Sequence, residues 1–233
     1  MNCYCEEITR DDMRVTRKCF KELWLFEDLT EDENEECRAI GSRQLFHPGQ
    51  AIFFQGDPAH DMFIIKAGRI KLNKVLEDGT EVILDFRKAG DMIGENMISE
   101  EIKYPVTAWS MEDTITCGFN KKRFETLISN NPSIGLRVIK NMGKRISALT
   151  HRLGNMASGN LMERLYQILS HIAQEHGKAN AHEYVIEFPL THDELGYLLG
   201  AHRVSITRAM KELTQSGKVV LANRTIMIPR VTS

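Results

Sequence analysis

Leu190-Thr-His-Asp-Glu-Leu-Gly-Tyr-Leu-Leu-Gly-Ala-His-Arg-Val-Ser-Ile-Thr-Arg-Ala-Met-Lys-Glu-Leu213 decides the reading of this chain. It reads as a helix, a tight turn and a second helix. Thr191 is placed to cap the first helix, and Glu194 three residues later closes a capping box. Leu195, Leu198 and Leu199 give that helix an apolar stripe, and Gly200 lets the backbone turn sharply. The second helix carries Val204, Ile206, Met210 and Leu213 among the polar residues Arg203, Ser205, Thr207, Arg208 and Lys211. A short helix with arginines and small hydroxyl residues near its N-terminus suits the major groove of double-stranded DNA. An ordinary helical hairpin with a basic solvent face has the same pattern, so the rest of the chain must supply the context.

Downstream, Gly217-Lys-Val-Val-Leu-Ala-Asn-Arg-Thr-Ile-Met-Ile-Pro229 alternates and turns at Asn223-Arg224, which predicts a β-hairpin wing. Upstream, Leu161 to Gln174 is an amphipathic helix, preceded by a hinge at Gly154 and Ala157-Ser-Gly-Asn160. Before the hinge, Ile139, Met142, Ile146, Leu149, Leu153 and Met156 follow one another at spacings of 3, 4, 3, 4 and 3. That is the seam of a two-helix coiled coil. It predicts a homodimer interface, because a helix-turn-helix protein on a palindrome needs two-fold symmetry. The alternative is a helix packed on its own barrel.

From about Ser42 to Phe119 the pattern is strand-like. Ala51-Ile-Phe-Phe54, Met62-Phe-Ile-Ile65, Ile70-Lys-Leu-Asn-Lys-Val75, Glu81-Val-Ile-Leu-Asp-Phe86 and Val106-Thr-Ala-Trp109 are separated by glycine- and proline-rich turns. Regular short strands of this kind predict a β-sandwich or barrel, with Glu77-Asp-Gly-Thr80 as a hairpin tip.

The bulk numbers agree with a two-domain globular chain. It has 233 residues, 42% hydrophobic and 27% charged, and no apolar run long enough to span a bilayer. Met1-Asn-Cys-Tyr-Cys-Glu-Glu7 lacks the basic start and apolar centre of a signal peptide, so a cytoplasmic location with no membrane partner is expected. Net charge is only −2, yet Arg203, Arg208, Lys211, Lys218 and Arg224 face Glu212 alone between Gly200 and Arg224. The segment from Phe26 to Glu36 is acidic instead. A local basic patch on a neutral chain suits a DNA reader with a small footprint. No nucleophile–base pair or phosphate-cradling glycine loop lies outside the barrel, which argues against an enzyme. An enzyme-regulatory barrel protein and a DNA-binding protein with a degenerate barrel are the competing classes.

Barrel, long helix, hinge and winged helix-turn-helix, in that order, resemble the cAMP receptor protein/FNR superfamily of bacterial transcription regulators. Phe46-His-Pro-Gly-Gln-Ala-Ile-Phe-Phe-Gln-Gly-Asp57, Ile65-Lys-Ala-Gly-Arg-Ile-Lys71, Ala89-Gly-Asp-Met-Ile-Gly-Glu95 and Leu195-Gly-Tyr-Leu-Leu-Gly200 carry the resemblance, which runs from about Leu25 to Pro229. It implies an α+β fold: a cyclic-nucleotide-binding-type jelly-roll β-barrel, a long dimerisation helix and a C-terminal winged helix-turn-helix. The expected boundaries are 1–24 for a cysteine-containing segment, 25–130 for the sensing barrel, 131–156 for the dimerisation helix and 157–233 for the DNA-binding domain. The resemblance also implies a homodimer on double-stranded DNA, with RNA polymerase as a further partner.

The family resemblance places an effector pocket at Gly94, Glu95, Val106, Thr107 and Ala108. Cyclic-nucleotide binders have an arginine where Val106 stands, and without that fork a buried phosphate is poorly compensated, which argues against cAMP. FNR-type sensors hold a [4Fe-4S] cluster on three cysteines before the barrel and a fourth late in it. Cys3, Cys5, Cys19 and Cys117 are similarly placed, although Cys-x-Cys followed by a 13-residue gap is not the family's compact run. A thiol–disulfide switch, zinc or no role at all are the alternatives, and Cys37 reads as a packing residue. Haem-based gas sensors share the architecture, but no axial ligand can be singled out. The segment His202-Arg-Val-Ser-Ile-Thr-Arg208 resembles that of chlorophenol-responsive regulators. In the family's DNA readout, Arg208 matches an arginine that grips guanine, and Val204 replaces a glutamate, so one base of the half-site is expected to differ. Ser205, Thr207 and Lys211 are expected on phosphate or in support of the helix.

Overall fold

The computed structural model describes residues 23–26, 29–30, 41–98, 103–157, 160–222 and 225–230. Cys3, Cys5, Cys19, Cys37, the acidic segment from 31 onward and the wing tip at Asn223-Arg224 lie outside the described residues. The chain divides into two compact units, Met1–Gly143 and Lys144–Ser233. Among the described residues no helix is long and apolar enough to cross a membrane.

The first unit is built from β1 (Ser42–Phe46), β2 (Ala51–Phe53), β3 (Asp61–Ala67), β4 (Arg69–Val75), β5 (Glu81–Lys88), β6 (Met92–Ile93), β7 (Thr107–Ser110) and β8 (Thr114–Asn120). They form two four-stranded antiparallel sheets, ordered β1-β8-β3-β6 and β2-β7-β4-β5. This interleaved order is a jelly roll, the form that the family resemblance implies for the sandwich or barrel read from the turn-punctuated strands. The hairpin tip forms as read: Leu76 N–H donates to the Thr80 carbonyl at 2.8 Å, and Gly79 adopts φ +83°. The Thr80 N–H, 2.9 Å from Asp78, holds that carboxyl below its usual range. Between β3 and β4, Gly68 has φ +88°, and a Cβ there would stand 2.7 Å from the backbone of Asp113 and Thr114. Only glycine fits that turn.

Two apolar layers explain the run Met62–Ile65. Phe63 and Ile65 face between the sheets, with Phe53, Ile70, Leu72 and Tyr104. Met62 and Ile64 face the other way, onto Leu23, Leu25, Phe26 and the helices that follow the barrel. A strand buried on both faces reads as a continuous apolar stretch and shows no alternation. The helices are α1 (Lys121–Asn130) and α2 (Pro132–Ala157). Asn120 caps α1 by accepting from the Arg123 N–H at 2.9 Å, and Pro132 opens α2 where its missing N–H costs nothing. Phe124 and Leu127 of α1, and Ile134 and Val138 of α2, close the second layer.

The second unit contains α3 (Leu161–His176), β9 (Lys178–Ala179), β10 (Glu183–Ile186), α4 (His192–Leu199), α5 (Arg203–Gln215), β11 (Val220–Ala222) and β12 (Thr225–Pro229). Its sheet has the order β11-β12-β10-β9. The β11–β12 hairpin is the wing read from the sequence, with Leu221 opposite Ile226. The pair β9–β10 adds two strands that sequence reading left unassigned. Leu165, Leu169 and Ile172 of α3 are buried together with Leu195 of α4, Ile206 and Leu213 of α5, and Ile226 and Ile228 of β12.

Candidate nucleic-acid interface

The capping box at the start of α4 is complete. Thr191 Oγ1 accepts from the Glu194 N–H at 3.1 Å, and Glu194 Oε2 accepts from the Thr191 N–H at 2.9 Å. Gly200 ends the helix in the left-handed region at φ +61°. The Ala201 N–H then donates to the Gly196 carbonyl at 2.9 Å. A Cβ on Gly196 would meet the Ala201 carbonyl oxygen at 2.5 Å, so this glycine lets the turn close against the helix. Sequence reading singled out Gly200 and passed over Gly196.

Helix α5 has one buried and one exposed side. Ile206, Ala209, Met210 and Leu213 are buried, which holds the helix on α3 and α4. Arg203, Val204, Thr207, Arg208 and Lys211 are exposed, and Ser205 is half-buried. Val204, apolar but read as a base-facing position, is 63% exposed and sits among the candidate base-reading residues. Two contacts to α4 organise this face. Arg203 stands 3.5 Å from the Asp193 carboxylate. His192 Nδ1 lies 2.9 Å from Thr207 Oγ1, whose hydroxyl also lies 2.9 Å from the Arg203 carbonyl. Neither Asp193 nor His192 carries a signal in the sequence, since each contact depends on how the two helices cross. A groove of about 500 Å³ runs beside them, between Leu190, His192 and Met210 on one side and Leu221 and Ile226 of the wing on the other.

The residues expected at an effector pocket lie around the short 3-10 turn after β6 and at the start of β7, where Thr107 and Ala108 stand. Gly94 has φ +76°, and a Cβ there would stand 2.8 Å from the Asp61 carbonyl and 3.2 Å from the Tyr104 ring. Glu95 opens the short 3-10 turn Glu95–Ile98. Val106 packs against the inter-sheet layer that includes Ala108. The Thr107 hydroxyl accepts from the Gln55 N–H at 3.0 Å. Beside them Tyr104 stacks on Phe53 at 3.9 Å between ring centres. Its hydroxyl donates to the Asp61 carbonyl at 2.6 Å and accepts from the Asp61 N–H at 3.2 Å. Burial raises the Tyr104 phenol above its ordinary value.

Cys117 is fully buried on β8, in register with Ile64 of β3. Its neighbours in the layer are apolar, Phe26, Phe119 and Phe124 among them, and a Cβ on Gly41 would overlap its sulfur. Among the described residues no group of three His, Cys, Asp or Glu side chains could hold a metal. Among the described residues these surroundings are those of a packed thiol, and the other expected cluster ligands, Cys3, Cys5 and Cys19, lie outside them.

Along α2, Ile139, Met142, Ile146 and Leu149 are 65, 38, 65 and 50% exposed. Ile134 and Val138, by contrast, are buried in the barrel layer. The side chains of Leu153 and Met156 lie outside the described residues.

A jelly roll followed by a winged helix-turn-helix is the architecture of a DNA-binding transcription regulator. Residues 43–131 match the cyclic nucleotide-binding domain family, and residues 163–232 match the Crp-like helix-turn-helix domain family. The chain is 27% identical over 179 residues to the cAMP-activated global transcriptional regulator CRP of Salmonella typhimurium, covering 76% of this chain and 84% of that protein. It is 22% identical over 205 residues to the anaerobic regulatory protein of Bacillus subtilis, covering 84% and 86% of the two chains. The fold is also that of the c-di-GMP responsive global regulator CLP of Xanthomonas campestris, with TM-score 0.73, 18% identity and coverage of 85% and 99%. The chain belongs to the CRP/FNR superfamily of DNA-binding transcription regulators.

Proposed function

We propose that the chain acts as a homodimer that reads a palindromic DNA site with α5, under control of a small effector sensed by the barrel, taken as residues 25–130. The observation that carries this reading is the two-sided burial of α5. Its apolar residues anchor it, and Arg203, Val204, Thr207, Arg208 and Lys211 are left on the surface. Arg208 has the fork that donates to guanine O6 and N7 together, while Val204 can only touch a thymine methyl. The exposed seam Ile139, Met142, Ile146 and Leu149 supports pairing of two copies, so that each half-site receives one α5. The DNA-bound dimer is then the form that meets RNA polymerase. Selection from a random DNA pool tests the reading directly. A palindromic sequence should be enriched, and enrichment of none would overturn it.

The effector in this reading is not a cyclic nucleotide held by an arginine, since Val106 offers a cyclic phosphate no charge. A redox reading through Cys3, Cys5, Cys19 and Cys117 has one observation in its favour, the similarity to an anaerobic regulatory protein. The apolar packing of Cys117 weighs against a cluster on that thiol. An absorption spectrum of anaerobically prepared protein decides. A broad visible band bleached by air assigns a cluster, a sharp Soret band assigns haem, and neither leaves the small effector.

A further inference from the structure

The proton count of one side-chain contact is informative. The Thr207 hydroxyl lies 2.9 Å from the Arg203 carbonyl and 2.9 Å from Nδ1 of His192. A hydroxyl has one proton, and a carbonyl only accepts, so with both contacts made Thr207 gives its proton to the Arg203 carbonyl and accepts from the ring. In that arrangement Nδ1 of His192 carries the hydrogen. In the neutral ring Nε2 is then a bare acceptor, and it becomes a donor only in the imidazolium. Nε2 has no hydrogen-bond partner among the described residues. Thr207 lies on the exposed face of α5 beside Arg208, and His192 borders the groove next to that face.

We propose that His192 couples DNA binding to proton uptake: its Nδ1–H is fixed on Thr207, and its Nε2, a donor only when the ring is charged, binds a backbone phosphate at the edge of the half-site. The proposal rests on the reading of α5 as the recognition helix. A neutral ring in this tautomer would turn a lone pair toward the phosphate, which repels. The charged form instead makes a charge-assisted hydrogen bond, fixed in direction by its second nitrogen.

The titratable groups on the elements around the ring leave this assignment standing. On α4, Glu194 is engaged by Thr191 and Asp193 by Arg203. On and before α5 stand Arg203, Arg208, Lys211 and His202, all of them cationic or able to become so, with Glu212 the one carboxylate of the helix. Among the described residues, the wing and the segment before α4 bring apolar residues and Thr191 to the groove. A phosphate oxygen at Nε2 interacts favourably with the charged ring and unfavourably with the neutral one. Bound DNA therefore holds the proton more tightly than the free protein does, and affinity rises as pH falls.

The experiment uses the full chain and a duplex carrying the site selected from the random pool. Binding is followed by fluorescence anisotropy at fixed ionic strength, from about pH 8 to about pH 6, the range in which an imidazole gains its charge. Wild-type Kd should fall by roughly tenfold or more toward the acid end, because each dimer presents two rings. His192→Asn keeps an amide donor for Thr207 but cannot titrate. It should bind within about twofold of wild type at the alkaline end and lose the acid gain, while His202→Asn keeps it. An unchanged pH slope in His192→Asn, or equal weakening at every pH, would sink the histidine proposal alone. A wild-type chain that selects no DNA sequence would sink the α5 reading, and this proposal with it.

Discussion

The carboxylate of Asp193 stands 3.5 Å from the guanidinium of Arg203, so a candidate DNA-reading cation is already paired before DNA arrives. Both side chains are largely exposed, 51% and 69%, and a pair of this kind is worth little in water. It nevertheless places a negative charge at a surface that must meet phosphates. Asp193→Asn should tighten DNA binding by about two- to fivefold at low salt, with the gain shrinking as salt rises. A salt series of binding curves for the two proteins checks this, and an affinity that falls in Asp193→Asn would show that Asp193 positions Arg203 for DNA.

The seam on α2 gives a second prediction. Ile146→Asp places a carboxylate at an apolar position that is 65% exposed in the single chain. The single chain should therefore fold normally, with the cost, about 2–5 kcal/mol, appearing only in the pairing of two copies. Light scattering should report monomers, and binding to a palindrome should collapse while thermal unfolding of the barrel changes little. A variant that stays a tight dimer would place the interface elsewhere.

In the barrel, Tyr104→Phe removes the hydroxyl that joins the carbonyl and the N–H of Asp61. The expected loss is about 1–3 kcal/mol in denaturant unfolding. The phenol is held above its ordinary value by burial, so the fold prefers the protonated form. Its contribution is therefore present below the unfolded value, about 10, and is lost as pH rises through the raised folded value. Wild-type stability should drop on the alkaline side by more than that of Tyr104→Phe.

At the recognition face, Arg208→Ala should cost about 1–3 kcal/mol on the selected site and relax the preference at one guanine per half-site. Val204→Glu should change the preferred base at another position, symmetrically in both half-sites. Site selection with the three proteins side by side reads both effects. Equal weakening on all sequences would make Arg208 a phosphate contact.

Much of this was written in local residues. The Thr191–Glu194 box, the left-handed Gly200 and the turn at Asp78-Gly79 act within a few positions of themselves, and each forms as its spacing predicts. Short strands between glycine turns marked a sandwich or barrel, and the family resemblance narrowed it to the jelly roll that forms. The strands β9 and β10 were not legible because two and four residues carry too little alternation to outweigh noise. His192 was not legible either. Its partner Thr207 is 15 positions away, and only the crossing of α4 and α5 brings them together. Cys117 shows a third limit: a thiol that packs and a thiol that ligates look alike in a sequence, and its company of Phe26, Phe119 and Phe124 is visible only in the fold.

The double burial of β3 has a consequence for how the barrel breathes. Its residues Met62 to Ile65 sit between the inter-sheet layer and the layer under α1 and α2. Exposing their amides to solvent requires both layers to separate together, which approaches global unfolding of the unit. In hydrogen exchange these amides should be the slowest of the barrel, and the two-residue edge strand Met92–Ile93 should exchange sooner. Slow exchange along β3 beside faster exchange at Met92–Ile93 would mark a barrel that opens from its edge while the central strand stays closed.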